Sequence, residues 1–541
     1  MKALNSFRSW AAAGFAAVVL CFAQSIMAQN TYIITGSGTQ FTATIDGSVV
    51  GDADQTLAIV RDIIKLHAAG DDCVIQFGDG TETLNIGPAN IMFDGGDNGT
   101  DWGLITLTGK MTSSFTNTTS AVIVTRNGVS VNSMADIANT AATNGHCIIH
   151  NSTETLTVND GTVSTTSGRA IENISTGSVN IIGGTVSATN GVAIRNQSHG
   201  SVIIIGGTVS TTSGRAVENQ SAGLITVSGG TVLATTSGRA VENQSTGSVN
   251  INGGTVSTTS GRTVVNQYTG SVNISGGTVL ATTARAIENL STGKITISGD
   301  ALVTSANTSS NAGTIVLANS GTATAARLEI TGGTITNTAD NGNAVYNAST
   351  GSIDLGGSPA ITGIITKSLT AGNLRVITEG QNTFVPDGKI YKLDFNAATQ
   401  NNTATVVNGK NFAENFESVN SNFGLEINNN DIVVKYKSAG YTYQKSGTTY
   451  VVTHVLANAM VNGPIQTLID LIKADAAGNL CVIQFGDGME TLDIGAESIE
   501  FDDGGTSDWG EVTITGRLTS SNSTSSTGVI FLRNGISLTS T

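Results

Sequence analysis

Side chains able to ligate a metal or share a proton are sparse in this 541-residue chain, and they cluster in few places. The run D-G-G-D-N-G-T-D places Asp94, Asp97 and Asp101 at short spacing with glycines to bend the loop, an oxygen set that calcium accepts. A related run, D-D-G-G-T-S-D from Asp502 to Asp508, lacks an equivalent of Asp97, so a solvated turn is the expectation and calcium the alternative. Glu172, Glu218, Glu242 and Glu288 recur as one outward column, interrupted by Arg195 and Val265. Neighbouring carboxylates would repel unless offset, and Arg215 and Arg239 stand beside Glu218 and Glu242, so an arginine-balanced, solvated face is expected rather than a catalytic pair. His146 and His150 flank Ile148 with no third ligand at hand and align with Arg169 and Asn173, which reads as ordinary repeat positions. Thr185, Thr208, Thr231, Thr255 and Thr278 form an outward column able to order water, but Leu233 and Leu280 break the serine column beside it.

What positions these residues is a repeat. Glycine pairs return about every 23 residues, at Gly183-Gly184, Gly206-Gly207, Gly229-Gly230, Gly253-Gly254 and Gly276-Gly277, inside near-copies of S-V-N-I-S-G-G-T-V-S-T-T-S-G-R-A-V-E-N-Q-S-T-G. Degenerate copies extend from Asp160-Gly161 to Gly356-Gly357. Period-2 alternation sends Ile171, Val179, Ile181 and Val186 inward in one copy, and the same positions stay aliphatic along the array, through Ile287, Ile295, Ile297 and Leu302. Each unit thus holds three short strands broken by Gly, Asn or Ser. Four aliphatics cannot order a unit of this length alone, so units must stack and hydrogen-bond to their neighbours. No 3.6-residue period supports helical repeats, and no six-residue rhythm supports a left-handed hexapeptide solenoid. An all-β, right-handed parallel β-helix with about 23 residues per rung remains. Asn173, Asn196, Asn219, Asn243, Asn266 and Asn289 hold one position in consecutive rungs, and their amides predict a structural ladder at a tight bend.

An open β-helix end invites aggregation, and the segment from Gln55 to His67 predicts a cap helix with Leu57, Val60, Ile63, Ile64 and Leu66 on its apolar stripe and His67 solvated. The module then returns: C-V-I-Q-F-G-D-G at Cys73 recurs at Cys481, D-W-G at Asp101 recurs at Asp508, and R-N-G at Arg126 recurs at Arg533. Five regions follow: 1–28, a signal peptide; 29–145, the cap helix and first irregular rungs; 146–365, regular repeats; 366–440, a β cap or small β domain rich in Phe and Tyr; and 441–541, a second copy that breaks off early, as in a fragment of a longer chain.

The first 28 residues carry Lys2 and Arg8, an apolar run from Trp10 to Phe22 and a small-residue exit at Ala28, the pattern of a secretory leader. Beyond Ala28 no apolar run is long enough for a transmembrane helix, so the mature chain is expected in solution or held at a surface by other means. A net charge of −15 without basic clusters excludes phosphate neutralisation and with it nucleic acid. Cys73, Cys147 and Cys481 are too few and too odd in number for a disulfide framework and are expected as buried thiols.

The G-G-T-V-S and R-A-V-E-N-Q-S-T-G units resemble the right-handed parallel β-helix proteins of the pectate-lyase-like superfamily, and more closely the adhesin-like, repetitive secreted proteins of bacteria. That resemblance covers about residues 73–365 and again from Cys481, and implies architecture far more than activity. Polysaccharide lyases and hydrolases of this fold class need clustered acids on one face, yet the regular rungs contain almost no aspartate, only Asp160 and Asp300, both at glycine turns. The expectation is a secreted or cell-surface, non-enzymatic solenoid, adhesive or scaffolding, showing a Ser/Thr/Asn face to glycans or proteins and needing no cofactor. The alternative is a polysaccharide-binding or polysaccharide-degrading β-helix with its site in the aromatic segment or in sequence beyond this chain.

Overall fold

The computed structural model describes residues 29–541 except 98, 100, 319–325, 368–372, 396–403, 421–422, 437–440, 455–464, 477–478, 487–490, 495–497, 503–508, 510, 521–528, 534–537 and 541. The leader reading therefore lies outside the described residues. The chain is an all-β parallel solenoid of about 24 residues per turn with few helices and a small β region after it. It divides into two compact units, one running to Asn250 with Gly254–Val256, the other comprising Ile251–Gly253 with Ser257 onward.

Each rung contributes one strand to each of three faces. In the first unit, Val179–Ile181 lies on the first face, Thr185–Ala188 on the second and Val192–Asn196 on the third. The pairing is parallel and in register, Val179 with Val202, Val186 with Val209 and Ile171 with Ile194, so identical side chains stack. The aliphatics assigned inward are fully buried, including Val179, Ile181, Val186, Val202, Ile204 and Val209. In the second unit Val272, Ile274, Ile295 and Ile297 repeat the pattern.

One inward assignment fails. Leu302 is 38% exposed and Val303 is buried in its place, with Val279 opposite Val303. The turn Gly299-Asp300-Ala301 holds one residue more than the glycine-pair turns before it, and a one-residue shift exchanges the two faces of a strand.

Turn chemistry explains the glycine period. Gly184, Gly207 and Gly230 have φ of 63°, 63° and 66°, a left-handed region costly for other residues. A Cβ on Gly207 would also lie 2.5 Å from the Gly183 carbonyl oxygen of the rung below.

Helix α1, Leu57–Ala68, starts at Thr56, whose side chain accepts from the Ile59 N–H, and ends at Ala69 in the left-handed region. It buries Leu57, Val60, Ile64 and Ala68 against strands Gln40–Ile45 and Ile91–Asp94. Leu66 is 83% exposed, off the predicted stripe because it lies about 200° round the helix from Ile64. A second device covers the same end: Asn30–Ser37 pairs in parallel with Cys73–Phe77 and antiparallel with Gln40–Ile45, a hairpin the repeat pattern gave no reason to expect.

In the second unit, Tyr391–Phe395 and Phe416–Ser418 continue the parallel stack of the third face, and the antiparallel hairpin Phe423–Asn428 with Asp431–Tyr436 follows. The duplicated module keeps its own pieces: Thr449–His454 pairs with Cys481–Phe485, which pairs with Val512–Gly516, and helix α2 spans Ile465–Ala476. Among the described residues no helix is long and apolar enough to cross a membrane.

Candidate functional surface

The asparagine ladder is present and buried. Asn173 Nδ2 donates to the Gly177 carbonyl at 2.8 Å and to Asn196 Oδ1 at 3.0 Å. Asn196 and Asn219 repeat both bonds, to Gly200 and Asn219 and to Gly223 and Asn243. In the second unit Asn266 donates to Gly270 O and to Asn289 Oδ1, and Asn289 to Gly293 O. Each amide closes its own corner and joins the next, so a buried polar column is satisfied from within.

The column has members of other types. His150 pairs in register with Asn173 and Thr125; its Nε2 meets the Glu154 carbonyl at 2.8 Å and its Nδ1 meets Thr125 Oγ1 at 2.8 Å. The imidazole thus does what the amide does four residues before a corner carbonyl. Burial lowers its pKa below the usual histidine value. The His146 pKa is also lowered, to about 4, by burial first and then by Arg169 and Arg195, while its Nδ1 accepts from the Arg169 N–H. Both histidines occupy repeat positions. Farther along, Leu317 takes the ladder position opposite Asn289, and Arg327, 1% exposed, donates to the carbonyls of Ala318, Asn289 and Ser291. Nothing periodic in A-R-L-E-I announces that role.

The glutamate column corrects an expectation. Arginine does balance it, but the carboxylates are not solvated: Glu172, Glu218, Glu242 and Glu288 are at most 3% exposed. Arg195 and Arg215 pair with Glu218, and Arg215 and Arg239 with Glu242. In the second unit Arg262 and Arg285 both reach Glu288. Arg195, Arg215 and Arg262 reach the carboxylate one rung on, while Arg239 and Arg285 close on the glutamate of their own rung, and together they cover these carboxylates from water. Breaking one of these pairs would leave an uncompensated charge in a buried position.

Asp94, Asp97 and Asp101 are not brought together as one ligand set. Asp94 Oδ1 accepts from the Gly96 N–H and from Asn127 Nδ2, Asp101 pairs with Lys65 at 2.7 Å, and Asp97 is exposed. Partial burial raises the Asp94 pKa, but the Gly96 and Asn127 bonds outweigh it and hold the carboxyl below its usual range. Among the described residues no three His, Cys, Asp or Glu side chains gather as a metal requires. Asp508 lies outside the described residues.

Cys73, Cys147 and Cys481 are free and buried, and burial pushes their thiols up to about 12, 12 and 11, far from a reactive thiolate. In the aromatic segment Phe384, Tyr391 and Phe416 are buried: Phe384 packs on Tyr391, Phe412 and Phe416, and the Tyr391 hydroxyl donates to Pro359 O at 2.8 Å.

The outward columns of the first and second faces carry short polar side chains, with Thr157 stacked on Asn180 and Thr185 and Ser187 on Thr208 and Ser210, and are interrupted by Ile203 after Asn180 and Leu233 after Ser210. No family model, no curated protein and no solved structure matches this chain.

Proposed function

We propose that this chain is a secreted or cell-surface solenoid without catalytic activity, adhesive or scaffolding, that presents its Ser/Thr/Asn exterior to glycans or proteins. The observation that supports this most is the pairing off of its charged groups. The rung carboxylates are buried against arginines, while hydroxyls stack in register on the second face, from Thr162 and Ser164 through Thr185 and Ser187 to Thr208 and Ser210, and Thr157 stacks on Asn180 on the first. Such a surface offers many equivalent shallow contacts, each weak, that gain strength only when a ligand engages several at once. Export rests on the leader-like residues 1–28.

The buried cluster of Phe384, Tyr391 and Phe416 weighs against a sugar-stacking site at those rings. The test uses the chain from residue 29 onward, displayed against glycans and cell-surface proteins in monovalent and clustered form. Strong binding to clustered ligand with little to the monovalent one is expected. Release of reducing or unsaturated sugars from a polysaccharide panel would overturn the reading.

A further inference from the structure

Asn-Gly bonds recur along this chain, and the surroundings of one set it apart. In the first unit Asn190 is exposed at the corner between Thr185–Ala188 and Val192–Asn196, with the half-buried Gly191 after it. Ser213, 23 residues on in the next rung, donates its hydroxyl to Asn190 Oδ1 at 3.0 Å. That serine is itself held in place, its N–H donating to Thr189 O at 3.2 Å. In the same rung as Ser213, the Gly214 N–H donates to Thr211 Oγ1 at 3.0 Å. Ala188 stands in register with Thr211 and has no hydroxyl, so the Gly191 N–H lacks the acceptor that its counterpart has.

Other Asn-Gly bonds are held differently. The Gly145 and Gly342 N–H groups donate to Ser167 O at 2.8 Å and to Ala339 O at 3.0 Å, so neither nitrogen is at liberty. Asn144, Asn341 and Asn408 have φ of 50°, 53° and 59°, in the left-handed region. Asn127 engages its own amide, Nδ2 donating to Asp94 Oδ1 at 2.8 Å. In the second unit Asn252-Gly253 repeats the hydroxyl contact, with Ser275 Oγ donating to Asn252 Oδ1 at 3.0 Å.

We propose that Asn190-Gly191 is a self-modification site, at which the chain converts its own carboxamide to a carboxylate. The Gly191 nitrogen gives its proton to hydroxide and bonds to Asn190 Cγ. The Cγ–Nδ2 bond then breaks, and ammonia leaves with a proton taken from water. A second water opens the resulting cyclic imide to aspartate or isoaspartate. Ser213 acts on the atom where charge develops, since its hydroxyl already donates to Oδ1 and strengthens that bond as the oxygen becomes anionic. Gly191 brings no Cβ to shield the attacking nitrogen, and attack gives up no hydrogen bond of the kind that Gly214 makes. The outcome is a new negative charge on an exterior of hydroxyls and amides, acquired without an enzyme. The inference is independent of what that exterior binds, as it concerns a covalent change within one rung.

The test incubates the full chain at mildly alkaline pH, folded and unfolded in urea, and follows each Asn-Gly peptide by mass spectrometry for conversion of amide to acid. In the folded chain Asn190 is expected to convert about tenfold faster than Asn144 and Asn341, and in urea the three rates should converge. Ser213→Ala should slow Asn190 about fivefold, the worth of one exposed hydrogen bond, and Ala188→Thr, which copies Thr211, should slow it as much. Asn190→Ser, which installs the residue found in the next rung, should abolish the signal. Equal rates at Asn190, Asn144 and Asn341 in the folded chain would overturn the proposal. So would a rate at Asn190 left unchanged by both Ser213→Ala and Ala188→Thr.

Discussion

A ladder asparagine satisfies a corner and a neighbour with one amide, so its removal exposes more than one loss. Asn219→Ala would delete the bonds to Gly223 O and Asn243 Oδ1 and take from Asn196 Nδ2 one of its two acceptors, all in buried positions. A loss of about 2–4 kcal/mol is expected in denaturant unfolding, whereas Gln220→Ala, at an exposed neighbour, should change little. The histidines add a pH dependence whose sign follows from burial. Both have folded pKa values below 6.5, His146 at about 4, so the unfolded chain binds more protons as acid is added. Their support is complete above pH 6.5 and is lost as pH falls from there toward 4. Melting temperature measured across that window should fall less steeply in His150→Asn, which restores the ladder amide opposite Glu154 O. The ladder was legible because six identical residues recur at one phase. Its histidine was legible only as an alignment, and Arg327 was not legible at all, since a lone basic residue carries no period.

At the scale of the strand, the third face owes its order to two columns on opposite sides, amides toward the corner and ion pairs outside. Glu242→Ala would leave Arg215 and Arg239 without their shared carboxylate, and a loss of about 2–3 kcal/mol is expected, below the usual figure for a buried pair because the arginines keep contact with water. Glu242→Gln should lose less, and raised salt should narrow the difference between variant and parent only slightly, because the carboxylate is buried. Alternation alone marked these glutamates as outward, which they are. It could not reveal their burial, because that arises between rungs, where an arginine side chain spans the strand spacing of about 4.8 Å. The same limit explains Leu302, where one additional turn residue inverted the strand, and Leu66, where a stripe drawn through every apolar residue of α1 ignored the helical angle. The hairpin at Asn30–Ile45 was legible in principle, since T-Y-I-I-T and F-T-A-T-I alternate around S-G turns.

At the scale of the molecule, a repeat array makes a prediction that a globular enzyme does not. Because each rung contacts only its neighbours, one rung can be removed at a matched joint with its two cut faces still complementary. Deleting residues 197–219 joins Asn196 to Gln220, reproducing the junction Asn219-Gln220 and returning Asn243 to the register of Asn219. The shortened chain should keep its far-ultraviolet β signature and its cooperative unfolding, with stability lowered by no more than one rung's stacking. If recognition is spread over repeated hydroxyls and amides, affinity for a clustered ligand should decline with each rung removed while affinity for a monovalent ligand stays level. Surface plasmon resonance on a series lacking one, two and three rungs reads both quantities. A graded decline ties binding to the exterior columns. An unchanged affinity throughout the series would place recognition at a single fixed site outside the deleted rungs, and the distributed reading of this surface would then be wrong.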